Sequence, residues 1–240
     1  AINSMNKKQT LVHNISHIFP SNLRKKIYQT YLKILWGIYY KKYLKIIESN
    51  HYPNKELIQK LIYSWGNSGY SAQQDYIESL IHHANSVNNL IFECGSGLST
   101  LIVGAIAKKN GVKMISIEHH PKWAAKVQTE IKKYKLTNNQ IFLSNLINYG
   151  DFDWYDIDNI NISDIDLCIC DAPPGNTFGG RKGFLYLFKD KVHNGTIILV
   201  DDIIREAEQK MIEEWSNIIP FDIIQKGEND PHAILMIKNI

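Results

Sequence analysis

Between residues 90 and 101 the chain reads L-I-F-E-C-G-S-G-L-S-T-L, changing from strand-like to loop-like to helix-like character in a dozen positions. Leu90, Ile91 and Phe92 form a short apolar run suited to a buried strand. Gly95 and Gly97 permit a tight turn and close backbone approach, and Ser99 and Thr100 are able to cap a helix that Leu101, Ile102, Ala105 and Ile106 continue along one face. A strand, a glycine turn and a helix N-terminus in that order constrain the chain to an α/β architecture and create a ligand site where the helix begins. A dinucleotide fingerprint would want a third glycine where Thr100 stands. Glu93, two residues before Gly95, would repel a pyrophosphate and attract an ammonium. The stretch therefore suits a nucleoside cofactor carrying positive charge.

The rest of the sequence alternates around it. Strand patterns at 90–94, 113–118 and 140–144 are separated by helix patterns at 99–109 and 121–135, and three such units in register argue for parallel strands. After an irregular acidic and aromatic segment at 145–163 come a strand at 165–170, a helix at 182–192, a strand at 196–200 and a helix at 203–217. Two final strands, 221–225 and 233–238, are joined by a turn short enough to make them antiparallel. The 240 residues, 44% hydrophobic, provide for one such domain and a modest extension. The boundary falls near Gly66, giving a helical extension at 1–66 and a catalytic-type domain at 67–240. A second glycine-rich bend, Gly66 to Tyr70, overhangs the predicted pocket, and Ser71 caps the helix that follows it.

Charge divides along the same line. Residues 1–60 carry a net +9, which leaves −6 for the remainder. Basic residues Lys25, Lys26, Lys33, Lys41, Lys42 and Lys45 are interleaved with Ile27, Tyr31, Ile34, Leu35, Ile38 and Tyr39 at helical intervals. That pattern predicts one or two amphipathic helices packed on the domain; the sharper alternatives are a peripheral membrane helix and a docking site for an anionic polymer. The longest apolar run is too short to span a bilayer. Cys94, Cys168 and Cys170 have spacing that suits neither zinc nor a disulfide framework, so they read as buried, reduced thiols in a cytoplasmic protein.

The segment E-C-G-S-G-L-S-T resembles motif I of the class I S-adenosylmethionine-dependent methyltransferases, an acidic residue followed by spaced glycines. That resemblance implies a doubly wound, mostly parallel sheet of seven strands in the order 3-2-1-4-5-7-6, with the last strand reversed. It implies S-adenosylmethionine as cofactor, held by Glu93, Gly95, Ser96, Gly97, Ser99 and Thr100. Glu118 ends the second strand, where a carboxylate accepts ribose hydroxyls. His119, with His120 beside it, and Asn145 at the end of the third strand would contact the adenine. Trp154 and Tyr155 either wall the pocket or cover the sheet edge.

At the end of the fourth strand, I-D-L-C-I-C-D-A-P-P-G places Asp171 where an acidic residue faces the transferred methyl in this fold. The D-P-P-aromatic motif of adenine amino methyltransferases is similar, but Ala172 intervenes and Gly175 replaces the aromatic that would stack on a flipped base. Asp201 and Asp202 end the fifth strand. With Asp171 they resemble the magnesium site of catechol-type O-methyltransferases, although Asp202 stands where that pattern has Asn. The set Asp171, Asp201 and Asp202 is thus the candidate site for Mg2+ or Mn2+, and Asp171, Asp202 and Arg205 are the candidate catalytic residues. The longer pattern through Gly180, Arg181 and V-D-D-I-I-R-E-A-E also resembles sugar and polysaccharide methyltransferases. There, Arg181 and Arg205 either contact an anionic acceptor or pair with the neighbouring carboxylates. These resemblances favour O-methylation of a sugar, a polysaccharide or another small hydroxyl compound over amino methylation of nucleic acid. They also favour catalysis over a non-catalytic cofactor-binding scaffold. A nicotinamide enzyme is disfavoured by the missing third glycine and by Glu93.

Overall fold

The computed structural model describes residues 20–67, 72–227 and 231–239. Ser68 to Ser71, which hold most of the second glycine-rich bend and the expected Ser71 cap, lie outside the described residues, as do positions 1–19.

The chain opens with α1 (Ser21–Glu48), one continuous helix, followed by α2 (Lys55–Trp65) and α3 (Gln74–Ala84). Asn54 caps α2, its side-chain oxygen accepting from the Leu57 N–H at 3.0 Å. Strand β1 (Leu90–Cys94) then leads into α4 (Leu98–Asn110), β2 (Lys113–Glu118), α5 (Pro121–Tyr134) and β3 (Asn139–Leu143). Two three-residue strands, β4 (Leu146–Asn148) and β5 (Asp153–Tyr155), form a separate hairpin. β6 (Ile165–Cys170), α6 (Gly183–Phe188), β7 (Val192–Val200), α7 (Glu206–Ser216), β8 (Phe221–Lys226) and β9 (His232–Ile237) complete the fold.

The main sheet has seven strands in the order β3-β2-β1-β6-β7-β9-β8. The first five run parallel, and β9 pairs antiparallel with both β7 and β8. This is the predicted order with the predicted reversal at its end. All five residues of β1 are buried, as a central strand covered on both faces requires. Alternate residues serve opposite cores. Ile91, Met114, Leu167 and Leu199 face a core shared with α1 to α5. Phe92, Ile115, Cys168 and Ile198 face one completed by Trp154, Tyr155, Phe184 and Trp215. All three cysteines are buried and free.

Helix α1 belongs to the first of these cores. Trp36, Tyr40 and Tyr43 are buried in it, Tyr40 stacks on Trp36 at 4.6 Å, and the Trp36 indole donates to Glu130 on α5 at 2.8 Å. The hydroxyls of Tyr40 and Tyr43 donate to the carbonyls of Leu101 and Ile102 in α4, at 2.7 and 2.9 Å.

Several boundaries differ from expectation. The segment expected to be irregular, 145–163, contains the β4–β5 hairpin, whose Trp154 and Tyr155 are wholly buried as core residues. The helix expected at 182–192 is α-helical only to Phe188, then tightens into a 3-10 turn, Lys189–Lys191. Helix α7 starts at Glu206 rather than 203, because residues 203–205 form a turn closed by the Arg205 N–H on the Asp202 carbonyl at 3.0 Å, and Arg205 itself is extended, ψ 135°.

Candidate functional site

Order in the sheet reverses between β1 and β6, and the crevice outside their carboxyl ends is where open α/β sheets bind ligands. A cavity of about 900 Å³ lies there. Its wall includes Glu93, Gly95, Ser96, Gly97 and Ser99 from the first loop, Glu118 and His119 from the end of β2, and Asp171, Asp201, Asp202 and Arg205 from the ends of β6 and β7. The predicted site residues thus converge on one space, with two exceptions. Asn145 is exposed and outside the cavity wall; its carbonyl is taken by the Asp156 N–H at 2.8 Å, where the chain turns into the hairpin. Thr100 is buried behind the wall and acts through its hydroxyl.

The two glycines of the first loop do different work. Gly95 has φ 90°, and a Cβ there would stand 2.7 Å from the Ala172 Cβ, so the protein itself demands glycine. Gly97 has an extended φ of 177°, and the nearest atom to a Cβ built on it, Trp123 Nε1, is 3.9 Å away. Nothing among the described residues excludes a side chain at Gly97. The room it leaves belongs to the cavity, as expected where a ligand approaches the backbone at a helix start.

Glu93 is buried, 1% exposed, and fully engaged. Ser99 Oγ donates to its Oε1, while Thr100 Oγ1 and Ser116 Oγ donate to its Oε2, each at 2.6 Å. Thr100 in turn accepts from the Gly97 N–H at 2.8 Å. Ser99 and Thr100 therefore lie inside the first helical turn rather than ahead of it, their hydroxyl protons given to a carboxylate in charge-assisted hydrogen bonds. Burial pushes the Glu93 pKa up to about 7 against the pull of the three hydroxyls. Ser116 is a contributor the sequence reading missed. Its signal was a lone hydroxyl inside the apolar second strand, and the β1–β2 register sets it opposite Glu93.

Glu118 ends β2 with its carboxylate across the mouth of the glycine loop. Its Oε2 accepts from the Ser96 N–H and hydroxyl, both at 3.0 Å, and its Oε1 accepts from the His120 N–H at 2.8 Å. His119 Nδ1 lies 3.4 Å from the same Oε1. Trp123, also unpredicted, donates its indole N–H to the Ser96 carbonyl. Its ring meets Trp65 edge-on at 5.9 Å, and the Lys126 ammonium lies over both rings, at 4.2 and 3.9 Å. Both indoles line the cavity, so α2 contributes one wall through Trp65. Room at Gly97, a helix start and a carboxylate at the end of β2 fit S-adenosylmethionine.

At the other end of the cavity, Asp171, Asp201 and Asp202 each present an oxygen within 4.8 Å of the others. A cation already belongs to this group. Arg181 is 4% exposed, and its Nη2 donates to Asp171 Oδ1 at 3.1 Å and Asp202 Oδ2 at 2.8 Å, while Nη1 donates to the Asp201 carbonyl at 2.9 Å. Burial works against its charge, but Asp171, Cys170 and Asp202 outweigh that, and its pKa stands above the ordinary arginine value. Arg205 adds a second cation, its Nη1 2.7 Å from Asp202 and 3.5 Å from Glu208, which is itself buried and 3.9 Å from Arg181 Nε. A divalent ion among the aspartates would sit against a permanently charged guanidinium. The three aspartates are a candidate site for the Mg2+ or Mn2+ that the catechol-type resemblance implies, but one whose oxygens are already shared with the Arg181 guanidinium. Glu208, the fourth acid of the network, escaped the sequence reading because E-A-E at the start of a helix reads as a solvated first turn.

Comparison with known proteins agrees with this geometry. Residues 92–203 match a family model described as "Methyltransferase domain". Among solved structures, the chain is similar to the SAH-bound methyltransferase PaMTH1 of Podospora anserina, at 14% identity and TM-score 0.56, over 92% of this chain and 97% of that one. It is similar to an O-methyltransferase from Bacillus cereus in complex with SAH, at 15% identity and TM-score 0.54, over 78% and 92%. It is also similar to the precorrin-6y C5,15-methyltransferase of Geobacter metallireducens, at 11% identity and TM-score 0.50, over 71% and 92%. No curated protein sequence matches the chain. The cavity at the β1–β6 reversal, the loop that frames it and these likenesses together establish that the chain has the class I S-adenosylmethionine-dependent methyltransferase fold, with residues 92–203 matching the methyltransferase family model.

Proposed function

We propose that the protein methylates a hydroxyl group of a sugar, a polysaccharide or another small hydroxyl compound, using S-adenosylmethionine. The observation that carries the reading is the make-up of the cavity's far end. Asp171, Asp202, Arg181 and Arg205 offer charged donors and acceptors there. The aromatic rings of the wall, Trp65 and Trp123, stand with the glycine loop instead. A polyhydroxyl acceptor suits the first arrangement, while a flipped base needs a ring to stack on where Gly175 stands.

In this reading the glycine loop and the start of α4 receive the cofactor, and Glu118 accepts its ribose hydroxyls. Bound there, S-adenosylmethionine supplies a methyl group already activated on a sulfonium. The chain's own tasks are alignment, exclusion of water and removal of one proton. Asp171, at the end of β6, orients the acceptor hydroxyl and receives its proton. Arg181 and Arg205 hold Asp171 and Asp202 in place and contact the acceptor's polar groups. Glu93 fastens the loop through Ser99, Thr100 and Ser116.

Titration calorimetry with S-adenosylmethionine and with its demethylated product is the first test, and both should bind. A methyl-transfer screen against glycans, small hydroxyl compounds and nucleic acids should then give product with the hydroxyl acceptors. Absence of heat with either cofactor form would refute the cofactor assignment, and transfer to nucleic acid alone would refute the acceptor class.

A further inference from the structure

Helix α1 is apolar on two opposite faces. Leu32, Trp36, Tyr40, Tyr43 and Ile47 are buried against the body of the protein. Leu23, Ile27, Ile34 and Ile38 share the other side and face solvent, Ile34 with 58% and Ile38 with 56% of its surface exposed. Ile34 and Ile38 stand two positions from Trp36 and Tyr40, about 200° around the helix. On the same wheel Lys26 and Lys33 flank one edge of the exposed stripe, Arg24 and Lys42 flank the other, and Lys41 and Lys45 continue it beyond Ile38. The helix holds seven basic residues and a single acid, Glu48 at its end. The basic field continues onto α5, where Lys33 helps to disfavour the charge on Lys126.

We infer that this face of α1 docks on the surface of an anionic lipid bilayer. The aliphatic stripe enters the acyl boundary, and the flanking lysines reach outward to the phosphates. No helix among the described residues is long and apolar enough to cross a membrane, so the contact is in the plane of the surface. Charge decides among the occupants. A second copy packed face to face would bring these cations against their own likeness. Residues 1–19 contain no Asp or Glu to meet them. A nucleic acid would satisfy the lysines but gains nothing from four aliphatic side chains. The inference is independent of the methyl-transfer reading.

The test is co-sedimentation of the full chain with vesicles of pure phosphatidylcholine and with vesicles containing about one-third phosphatidylglycerol. The chain should pellet with the anionic vesicles, less so as salt rises, and stay in solution with the neutral ones. Ile34→Asp with Ile38→Asp, and separately Lys41→Glu with Lys45→Glu, should each weaken that binding by about ten-fold or more while keeping the wild-type circular dichroism and melting midpoint. Failure to pellet with anionic vesicles, or equal binding to both kinds, would overturn the inference. So would a concentration-dependent dimer that Ile38→Asp dissolves, or retention on duplex DNA that the Ile34→Asp, Ile38→Asp pair leaves intact.

Discussion

Arg181 is the group whose removal says most about this site. Replacing it with Met keeps much of the volume but takes the cation from Asp171 and Asp202, at 3.1 and 2.8 Å, and a donor from the Asp201 carbonyl. Removing one partner of a buried ion pair costs about 3–5 kcal/mol. Here the lower end applies: the side chains of Asp171 and Asp202 keep 27% and 26% of their surface in water, and Arg205 stays beside Asp202 and Glu208. Arg181→Met should therefore lose about 3 kcal/mol in urea denaturation at neutral pH, and less in acid, where protonated carboxylates no longer repel. Arg181→Lys should fall between, since one ammonium cannot reproduce the fork. A cation-for-cation exchange gives a sharper result. Freed of the guanidinium, three carboxylates within 4.8 Å should acquire affinity for Mn2+, stabilising the Met variant by about 1.4 kcal/mol at ten times the dissociation constant and the wild type not at all. A loss below about 1 kcal/mol in the Met variant, or stabilisation of the wild type by Mn2+, would refute the argument that arginine occupies the metal's place.

Further expectations follow from other parts of the site. Methyl transfer by the wild type should be indifferent to chelator, as read by product formation with and without EDTA; loss of activity that Mg2+ restores would restore the metal reading. Gly97→Ala should leave thermal stability near wild type and weaken cofactor binding by calorimetry. Gly95→Ala should cost stability as well, through both its φ of 90° and the Ala172 contact. Glu93 sets a pH dependence: its pKa in the folded chain is about 7 against an ordinary 4.5, so the folded state holds the extra proton between those values. Its stability contribution is complete below pH 4.5 and declines by about 3 kcal/mol as pH rises through 7. Glu93→Gln should lack that slope whatever its constant offset, and parallel denaturation curves from pH 4.5 to 8 would disprove the assignment.

The sheet was legible because its central strands announce themselves as apolar runs with an acid at or near the carboxyl end, and Glu118, Asp171 and Asp201 do stand in one crevice. The hairpin was not: Leu146–Asn148 and Asp153–Tyr155 are too short to show a period, and their pairing depends on Trp154 and Tyr155 finding a core contributed by distant strands. The alternatives for Arg181 and Arg205 could not be separated in sequence, since a basic residue near two aspartates suits an acceptor and an ion pair equally. Only the path of the loop after β6 brings Arg181 inward. Glu208, Ser116 and Trp123 were invisible for a related reason. Each acts on a residue from another element, and nothing local distinguishes such a side chain from an ordinary strand or helix position.

Tyr40 and Tyr43 have a mechanical consequence. Their hydroxyls are riveted to the carbonyls of Leu101 and Ile102, directly after Thr100, the residue whose hydroxyl ties Gly97 to Glu93. A tug on α1 is thus borne by α4 within a turn of the cofactor loop. Cutting the chain at residue 49 would strip those carbonyls of their second donors and bare the seat of Trp36, so α1 is less a detachable handle than part of the frame in which the loop is strung.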